Sequence, residues 1–306
     1  MLDYRLIEAF AAVIEEKGFE RAAERLHITQ SAVSQRVKAL EDEVGRILVA
    51  RESPPRATAA GERLFRHYRQ VSGLEEEALG ELGMRSEAGF SELPIAVNAD
   101  SLSVWLMPAI TEFLKSRAVT LEILVGDQER TLEMLKSGTV AGCISAQSSP
   151  IQGCACTFIG AMRYRLAASP DFALRWFPRG MDRESAAAAP VIHVSRDDQL
   201  QYQSLLQLFG EPLVVPPAHY IPSTATYLEA VLDGLGYSLI AEVQASPAIR
   251  EGGLVELDER ARIDVPYYWH RWNRYSTLLE DFSSALLSEG ARLLGSTAGS
   301  RPLRAR

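Results

Sequence analysis

Cysteine is scarce in this chain, with only Cys143, Cys154 and Cys156 among 306 residues. That is too few for a disulfide scaffold and fits a reducing cytosol. Long hydrophobic runs are missing too. No stretch of about eighteen apolar residues occurs, so no spanning helix and no membrane partner are expected. The opening Met1-Leu2-Asp3-Tyr4-Arg5 lacks the charged-then-apolar plan of a secretory signal, and a cytoplasmic protein is expected. There is no Gly-rich phosphate loop, no HExxH and no nucleophile elbow, so an enzyme is not expected and no cofactor is implied. Positive charge is not in excess either. Lys and Arg number 32 against 40 Asp and Glu, a net charge of −8. Bulk charge therefore does not point to nucleic acid, and any such function must come from local placement. What is present is an ordinary globular balance, 47% hydrophobic and 24% charged, over a length that needs more than one core.

The first sixty residues read as short packed helices. Leu6, Phe10, Val13 and Ile14 recur at helical spacing and give a first helix one apolar stripe, which Gly18 is expected to end as a left-handed cap. A second helix turns Phe19, Ala22, Ala23 and Leu26 inward. Thr29 is a candidate N-cap for a third, whose buried face is Val33, Val37, Leu40 and Val44 and whose stop is Gly45. A short β-like run, Ile47 to Val49, ends at Pro54-Pro55. Beyond Thr58, Leu64, Tyr68, Val71, Ala78 and Leu82 occupy a 4-3 repeat, with Glu75 filling one of its positions. That is a coiled-coil seam with a blemish. Gly83 to Ser91 reads as a linker.

From residue 92 on, strands and helices alternate. Strands are expected at Leu93–Val97, Thr120–Val125, Val140–Ala146, Arg165–Ala168, Val191–Val194, Leu213–Val215, Tyr237–Ala241 and Tyr267–Trp272. Helices are expected at Ala109–Ser116, Glu129–Lys136, Gln199–Phe209, Thr224–Leu232 and Thr277–Leu294. Alternation at this spacing implies βαβ units and mostly parallel sheets, in two sets and hence two lobes. The tail Gly295–Arg306 reads as frayed.

Residues 19–38 have helix-turn-helix spacing. Small Ala22 and Ala23 let two helices cross closely, and Leu26, Val33 and Val37 fill the wedge. The outer face of the third helix carries Gln30, Ser31, Ser34, Gln35 and Lys38. Such side chains suit base edges in the major groove, where carboxylates would be repelled by phosphate. Residues 1–60 hold nine Lys and Arg against ten Asp and Glu, so the count decides nothing. Placement does more, because Arg36, Lys38, Arg51 and Arg56 cluster on the third helix and the Pro-rich segment after it. A generic bundle with a polar outer face remains open on pattern alone.

The string from Ala22 to Leu40, together with Val49-Ala50-Arg51-Glu52-Ser53-Pro54-Pro55-Arg56-Ala57-Thr58, resembles the winged helix-turn-helix of LysR-type transcriptional regulators. The likeness covers the whole chain. Gly18 to Ala23, Ile28 to Arg36, Ala96 to Leu102 and Tyr268-Trp269-His270-Arg271 are similar to the ArgP/LysG-like subfamily, which controls lysine and arginine exporters. The resemblance implies an α/β fold with an all-α N-terminal part. It places a winged helix-turn-helix DNA-binding domain at 1–60 and a linker (dimerisation) helix and hinge at 61–91. A two-lobed, periplasmic-binding-protein-like effector domain takes 92–306, with lobe I at about 92–163 and 269–306 and lobe II at about 164–268. Gln30, Ser31, Ser34, Gln35 and Lys38 become major-groove readers; Arg51, Pro55 and Arg56 become the wing. Implied partners are double-stranded DNA with a dyad-symmetric operator, RNA polymerase, and the chain itself as dimer or tetramer.

A ligand in such a domain lies between the lobes, at strand ends. The matching segments nominate Asn98, Asp100, Ser101, Asp127, Gln128, Gln147, Asp197, Ser223 and Thr224, with Asp198 beside them. Carboxylates suit the two ammonium groups of a basic amino acid, lysine or arginine, and Ser101 beside a helix start suits its carboxylate. Loop aspartates also serve as plain caps and turns. Other readings stay open: a LysR-type regulator with a different effector, such as a carboxylate, or a ligand-independent chromosome- or origin-binding protein. Cys154-Ala155-Cys156 reads as a lobe connection rather than a metal or redox pair, for want of a neighbouring histidine. Trp269-His270-Arg271-Trp272 reads as a packed strand returning between lobes.

Overall fold

The computed structural model describes residues 3–50, 52–81, 90–196, 198–212, 214–273 and 276–295. Three helices open the chain: α1 (Tyr4–Glu15), α2 (Phe19–Arg25) and α3 (Gln30–Val44). The antiparallel pair β1 (Val49–Ala50) and β2 (Arg56–Ala57) follows, and then the long α4 (Ala59–Glu81). Phe10, Val13, Ala22, Val33, Val37 and Leu40 are buried together between the first three helices. Each large side chain removed from water there contributes about 1.5–3 kcal/mol. The Thr29 hydroxyl accepts the Ala32 N–H at 3.2 Å, as an N-cap does, and Gly45 ends α3 at φ +69°.

Gly18 does not play the expected part. Its φ of 176° is extended backbone at the start of α2, and the left-handed residue after α1 is Lys17 at φ +51°. The β-like run is also shorter than expected. Only Val49 joins β1; Leu48 is core and Ile47 is exposed. Gly61 has a clear steric reason, because a Cβ there would lie 2.1 Å from the Leu48 carbonyl oxygen. The seam on α4 divides. Phe65 and Tyr68 are buried against α1, with Leu64 packed beside them, so the first half of α4 is used within the chain. Further along the repeat Val71 is half-buried and Glu75 and Ala78 are exposed, as are Leu74 and Leu79 beside it. Leu82 and residues 83–89 of the linker lie outside the described residues, and Ser91 belongs to a strand.

The remainder begins with β3 (Ser91–Val97), α5 (Ala99–Ser101) and a π-helical stretch, Leu102–Leu106, running into α6 (Met107–Ser116). Then come β4 (Val119–Val125), α7 (Gln128–Ser137), β5 (Gly142–Ser145) and β6 (Cys154–Ala168). The next set is α8 (Pro170–Trp176), α9 (Arg183–Ala188), β7 (Val191–His193), α10 (Leu200–Phe209), β8 (Ala218–Tyr220), α11 (Thr224–Leu232), β9 (Ser238–Ala241) and α12 (Glu242–Arg250). β10 (Val255–Glu256), a 3-10 turn at Glu259–Ala261, β11 (Ile263–Trp272) and α13 (Thr277–Leu294) complete it. Residues 296–306 of the tail lie outside the described residues.

One sheet runs β10-β6-β11-β5-β3-β4, with β9 also on β6. Its pairings correct the expectation of mostly parallel sheets. β3 is parallel to β4 and β5, but β11 is antiparallel to β5 and β6, and β6 is antiparallel to β9 and β10. The reason is the crossing. β6 and β11, 15 and 10 residues long, pass between the two halves in opposite directions and pair with each other along the way. Trp269 of β11 anchors this crossing: its ring lies on Gly142 and its Nε1–H donates to Ser283 of α13 at 2.8 Å. It is thus a packed strand residue. The expected strand at Leu213–Val215 does not form, because Pro212, Pro216 and Pro217 offer no backbone N–H around it. Val214 and Val215 are exposed, Leu213 lies outside the described residues, and the strand starts where the prolines stop.

Candidate functional site

Two places in the molecule carry candidate chemistry. The first is the outer face of α3. Gln30, Ser31, Ser34, Gln35 and Lys38 are all exposed there, opposite buried Val33, Val37 and Leu40. Ser31 shares a 3.0 Å hydroxyl contact with Thr29; among the described residues no bond pins the side chains of Gln30, Ser34, Gln35 or Lys38. A run of uncharged donors and acceptors with one cation is thereby left available to a groove. The β1–β2 turn lies beyond the helix, with Arg56 exposed and Pro55 half-buried; Arg51 is outside the described residues. One residue that sequence reasoning missed holds this turn in place. Glu41 of α3 accepts the backbone N–H of Leu48 at 2.7 Å and of Val49 at 3.1 Å. Its role is to tie α3 to the wing.

The second place is a cleft where the two halves of the larger part face each other. A cavity of about 250 Å³ is lined by Asp100 and Tyr164 on one side and Asp198, Gln201, Thr224 and Tyr227 on the other. The Ser103 and Thr224 hydroxyls are hydrogen-bonded across it. Asp100 accepts the Tyr164 O–H at 2.7 Å. Burial pushes the Asp100 carboxyl above its ordinary range; the Tyr164 bond partly offsets this, and the facing Asp198 adds to it. Burial pushes Asp198 the same way, but His193 and the Leu200 N–H outweigh it and hold Asp198 below the usual range. His193 Nδ1 stands 3.8 Å from Asp198, and the Leu200 N–H donates to it at 3.0 Å. Two carboxylates from opposite walls thus face one cavity, and no Lys or Arg lines it among the described residues.

The nominated cleft residues separate. Asp100 and Thr224 line the cavity. Asn98 and Ser101 do not: the Asn98 amide donates to the Tyr267 hydroxyl at 3.2 Å, and Ser101 is wholly buried. Asp127 caps α7, accepting the Arg130 N–H at 2.8 Å, and Gln128 is the exposed first residue of that helix. A strand passing straight into a helix needs a cap at that point, and the cap uses up the aspartate. Ser223 likewise caps α11. The Gln147 side chain folds back onto the Ser149 carbonyl at 3.3 Å. Asp197 lies outside the described residues. Tyr164, Gln201 and Tyr227 lie outside the sequence-based expectation, since a residue within a strand or already inside a helix carries no strand-end signal.

The cysteines also need a correction. Sheet register does bring a histidine to them, with His270 opposite Cys156 and Nε2 3.6 Å from its Sγ. Burial nevertheless pushes the Cys143 thiol up to about 12, the Cys154 thiol up to about 11 and the Cys156 thiol upward too. All three therefore stay protonated and poorly nucleophilic. No group of three possible metal ligands occurs among the described residues. No helix among them is long and apolar enough to cross a membrane.

Comparison with known proteins bears on both places. Residues 4–62 match the model of the bacterial regulatory helix-turn-helix protein, lysR family, and residues 88–291 match the LysR substrate binding domain. The chain is 42% identical over 289 residues to the HTH-type transcriptional regulator ArgP of Pseudomonas aeruginosa (strain UCBPP-PA14), covering 94% of this chain and 96% of that one. The crystal structure of ArgP from Mycobacterium tuberculosis is similar with a TM-score of 0.88 at 35% identity, over 97% of this chain and 100% of that one. Full-length LysG from Corynebacterium glutamicum with bound effector Arg gives 0.80 at 34% identity, over 96% and 99%.

Proposed function

This chain belongs to the LysR family of bacterial helix-turn-helix transcriptional regulators, and on that premise we propose that it is a cytoplasmic regulator whose effector is a basic amino acid, arginine or lysine, bound in the interlobe cavity. The observation that carries the effector reading is the pair Asp100 and Asp198, facing one cavity without a cationic side chain between them. A ligand ammonium or guanidinium placed there would gain charge-assisted hydrogen bonds to both and relieve the burial cost at Asp100. The arginine held by the similar LysG structure supports the same class. A carboxylate effector would instead meet two like charges.

In this reading the face of α3 reads base edges and Arg56 of the wing reaches the minor groove or phosphates, with Arg51 and Pro55 beside it. Paired copies match a dyad-symmetric operator. Effector uptake biases the lobes toward the closed arrangement that the Ser103–Thr224 bond holds. The altered assembly then changes contact with RNA polymerase. The subfamily likeness supports an amino-acid exporter gene as the target. No resident cofactor is needed for any of these steps.

Titration calorimetry on the full chain tests the effector reading, with arginine and lysine as ligands and glutamate as the anionic control. Uptake of a basic amino acid and none of glutamate is expected. Uptake of glutamate alone would sink it.

A further inference from the structure

A zwitterionic effector brings a carboxylate as well as its cations, and two aspartates cannot receive it. Most of the hydroxyls lining the cavity are already committed. Thr224 is bonded to Ser103, Tyr164 donates to Asp100, and Tyr227 meets Ser238 and the Leu239 carbonyl. Ser195 and Gln244 keep access to water. One donor remains that is both buried and unspent. Gln201 is only 1% exposed; its Oε1 accepts the Ser238 hydroxyl at 2.9 Å, and its Nε2 has no hydrogen-bond partner among the described residues. A buried amide N–H without a partner costs about 1–3 kcal/mol, so its placement on a ligand cavity has a consequence.

The surroundings favour an anionic group at this place. Gln201 stands in the first turn of α10, a ten-residue helix, where Asp198 takes the Leu200 N–H and the N-cap Gln199 adds no side-chain bond to the N–H groups that follow. The backbone N–H groups of such a turn and the helix dipole both attract a carboxylate.

We propose that Gln201 is a specificity-determining residue that reads the α-carboxylate of the effector through its Nε2–H, at the start of α10, while Asp100 and Asp198 hold the cationic groups. The assignment rests on the basic-amino-acid reading of this cavity. It makes the protein a detector of the whole amino acid rather than of a cationic side chain.

The test compares arginine with agmatine, which keeps both cations and lacks the carboxylate, by calorimetry on the full-length protein. Wild type should prefer arginine. Gln201→Leu should weaken arginine about tenfold or more, the size of one hydrogen bond to a charged group, and leave agmatine unchanged. Gln201→Glu, which puts a negative charge where the donor was, should weaken arginine further and reverse the preference. Agmatine uptake by each variant serves as the control for an intact fold. Arginine affinity retained in Gln201→Glu would mean that an acceptor faces the ligand, and would overturn the assignment. Equal losses of arginine and agmatine in Gln201→Leu would overturn it too. If wild type binds neither of these compounds nor lysine, the effector reading fails along with it. If wild type binds arginine and Gln201→Leu keeps the same preference, only the role of Gln201 fails.

Discussion

A carboxylate is stabilised by water and loses that stabilisation on burial, and Asp100 is the residue where this loss is put to use. Its folded-state pKa lies above its unfolded one, from burial first and the facing Asp198 in addition. Between those two values the folded chain holds more protons than the unfolded chain. The resulting penalty is absent below the ordinary carboxylate range and grows as pH rises through the raised value. Asp100→Asn should therefore raise the melting temperature of the effector-free protein at neutral pH, with a smaller gain at acidic pH. It should also remove the melting shift caused by arginine. Thermal melts at two pH values, with and without arginine, measure both. An unchanged neutral-pH melt together with a full arginine shift would relocate the cation site. The same linkage makes arginine uptake weaker on acidification, because a proton and the effector compete for one carboxylate.

At the scale of elements, α3 shows how one helix divides its labour. Its inward face of Val33, Val37 and Leu40 makes the core, its outward face is exposed, and Glu41 ties it to the wing. Because Ser34 and Gln35 are exposed, their loss should leave the fold alone. The double variant Ser34→Ala, Gln35→Ala should lose about 1–3 kcal/mol of discrimination per base contact, with the melting temperature unchanged. Competition binding between operator and unrelated DNA measures this, and undiminished discrimination would remove α3 from base reading. The α3 stripe was legible because its period, its Thr29 cap and its Gly45 stop all agree. The exit from α1 was not, since which residue after a helix turns left-handed depends on how the next helix docks. The α4 seam was half legible. A 4-3 repeat shows that one face is apolar, but not whether α1 or another chain covers it, and here α1 takes Leu64 and Tyr68 of the repeat, with Phe65 beside them.

Across the whole molecule, α4 is the bridge between the two candidate sites. Arg66 of α4 lies over the Trp272 ring at the end of β11, with its guanidinium carbon 5.7 Å from the ring centroid. Gly138, at φ +79°, closes against the same residue: a Cβ there would lie 3.1 Å from the Arg66 Cα. β11 then runs back from Trp272 to Tyr267, which bonds Asn98 close to the cleft. This strand is a physical connection through which lobe closure can bias the position of the DNA-binding helices. Arg66→Ala should leave arginine affinity and basal DNA affinity within about twofold, since it lines neither site. It should cut the effect of arginine on DNA binding, a coupling of about 1–3 kcal/mol in such systems. Operator titrations with and without arginine measure it, and an undiminished effect would show that coupling runs elsewhere.

The sequence by itself determined many of the local elements and pointed to the family. Periodicity, caps and a recognisable motif are properties of neighbouring residues, and α3, α11 and α13 needed nothing else. Tertiary structure decided what those residues do together. Strand-end position made Asp100, Asp127 and Ser223 look equivalent, yet only Asp100 lines the cavity, because helix caps consumed the other two. Gln201 and Tyr164 gave no signal, since one is a mid-chain amide and the other an aromatic in an apolar strand. Facing a common cavity is a relation between distant segments, and only the crossing of β6 and β11 brings those segments together.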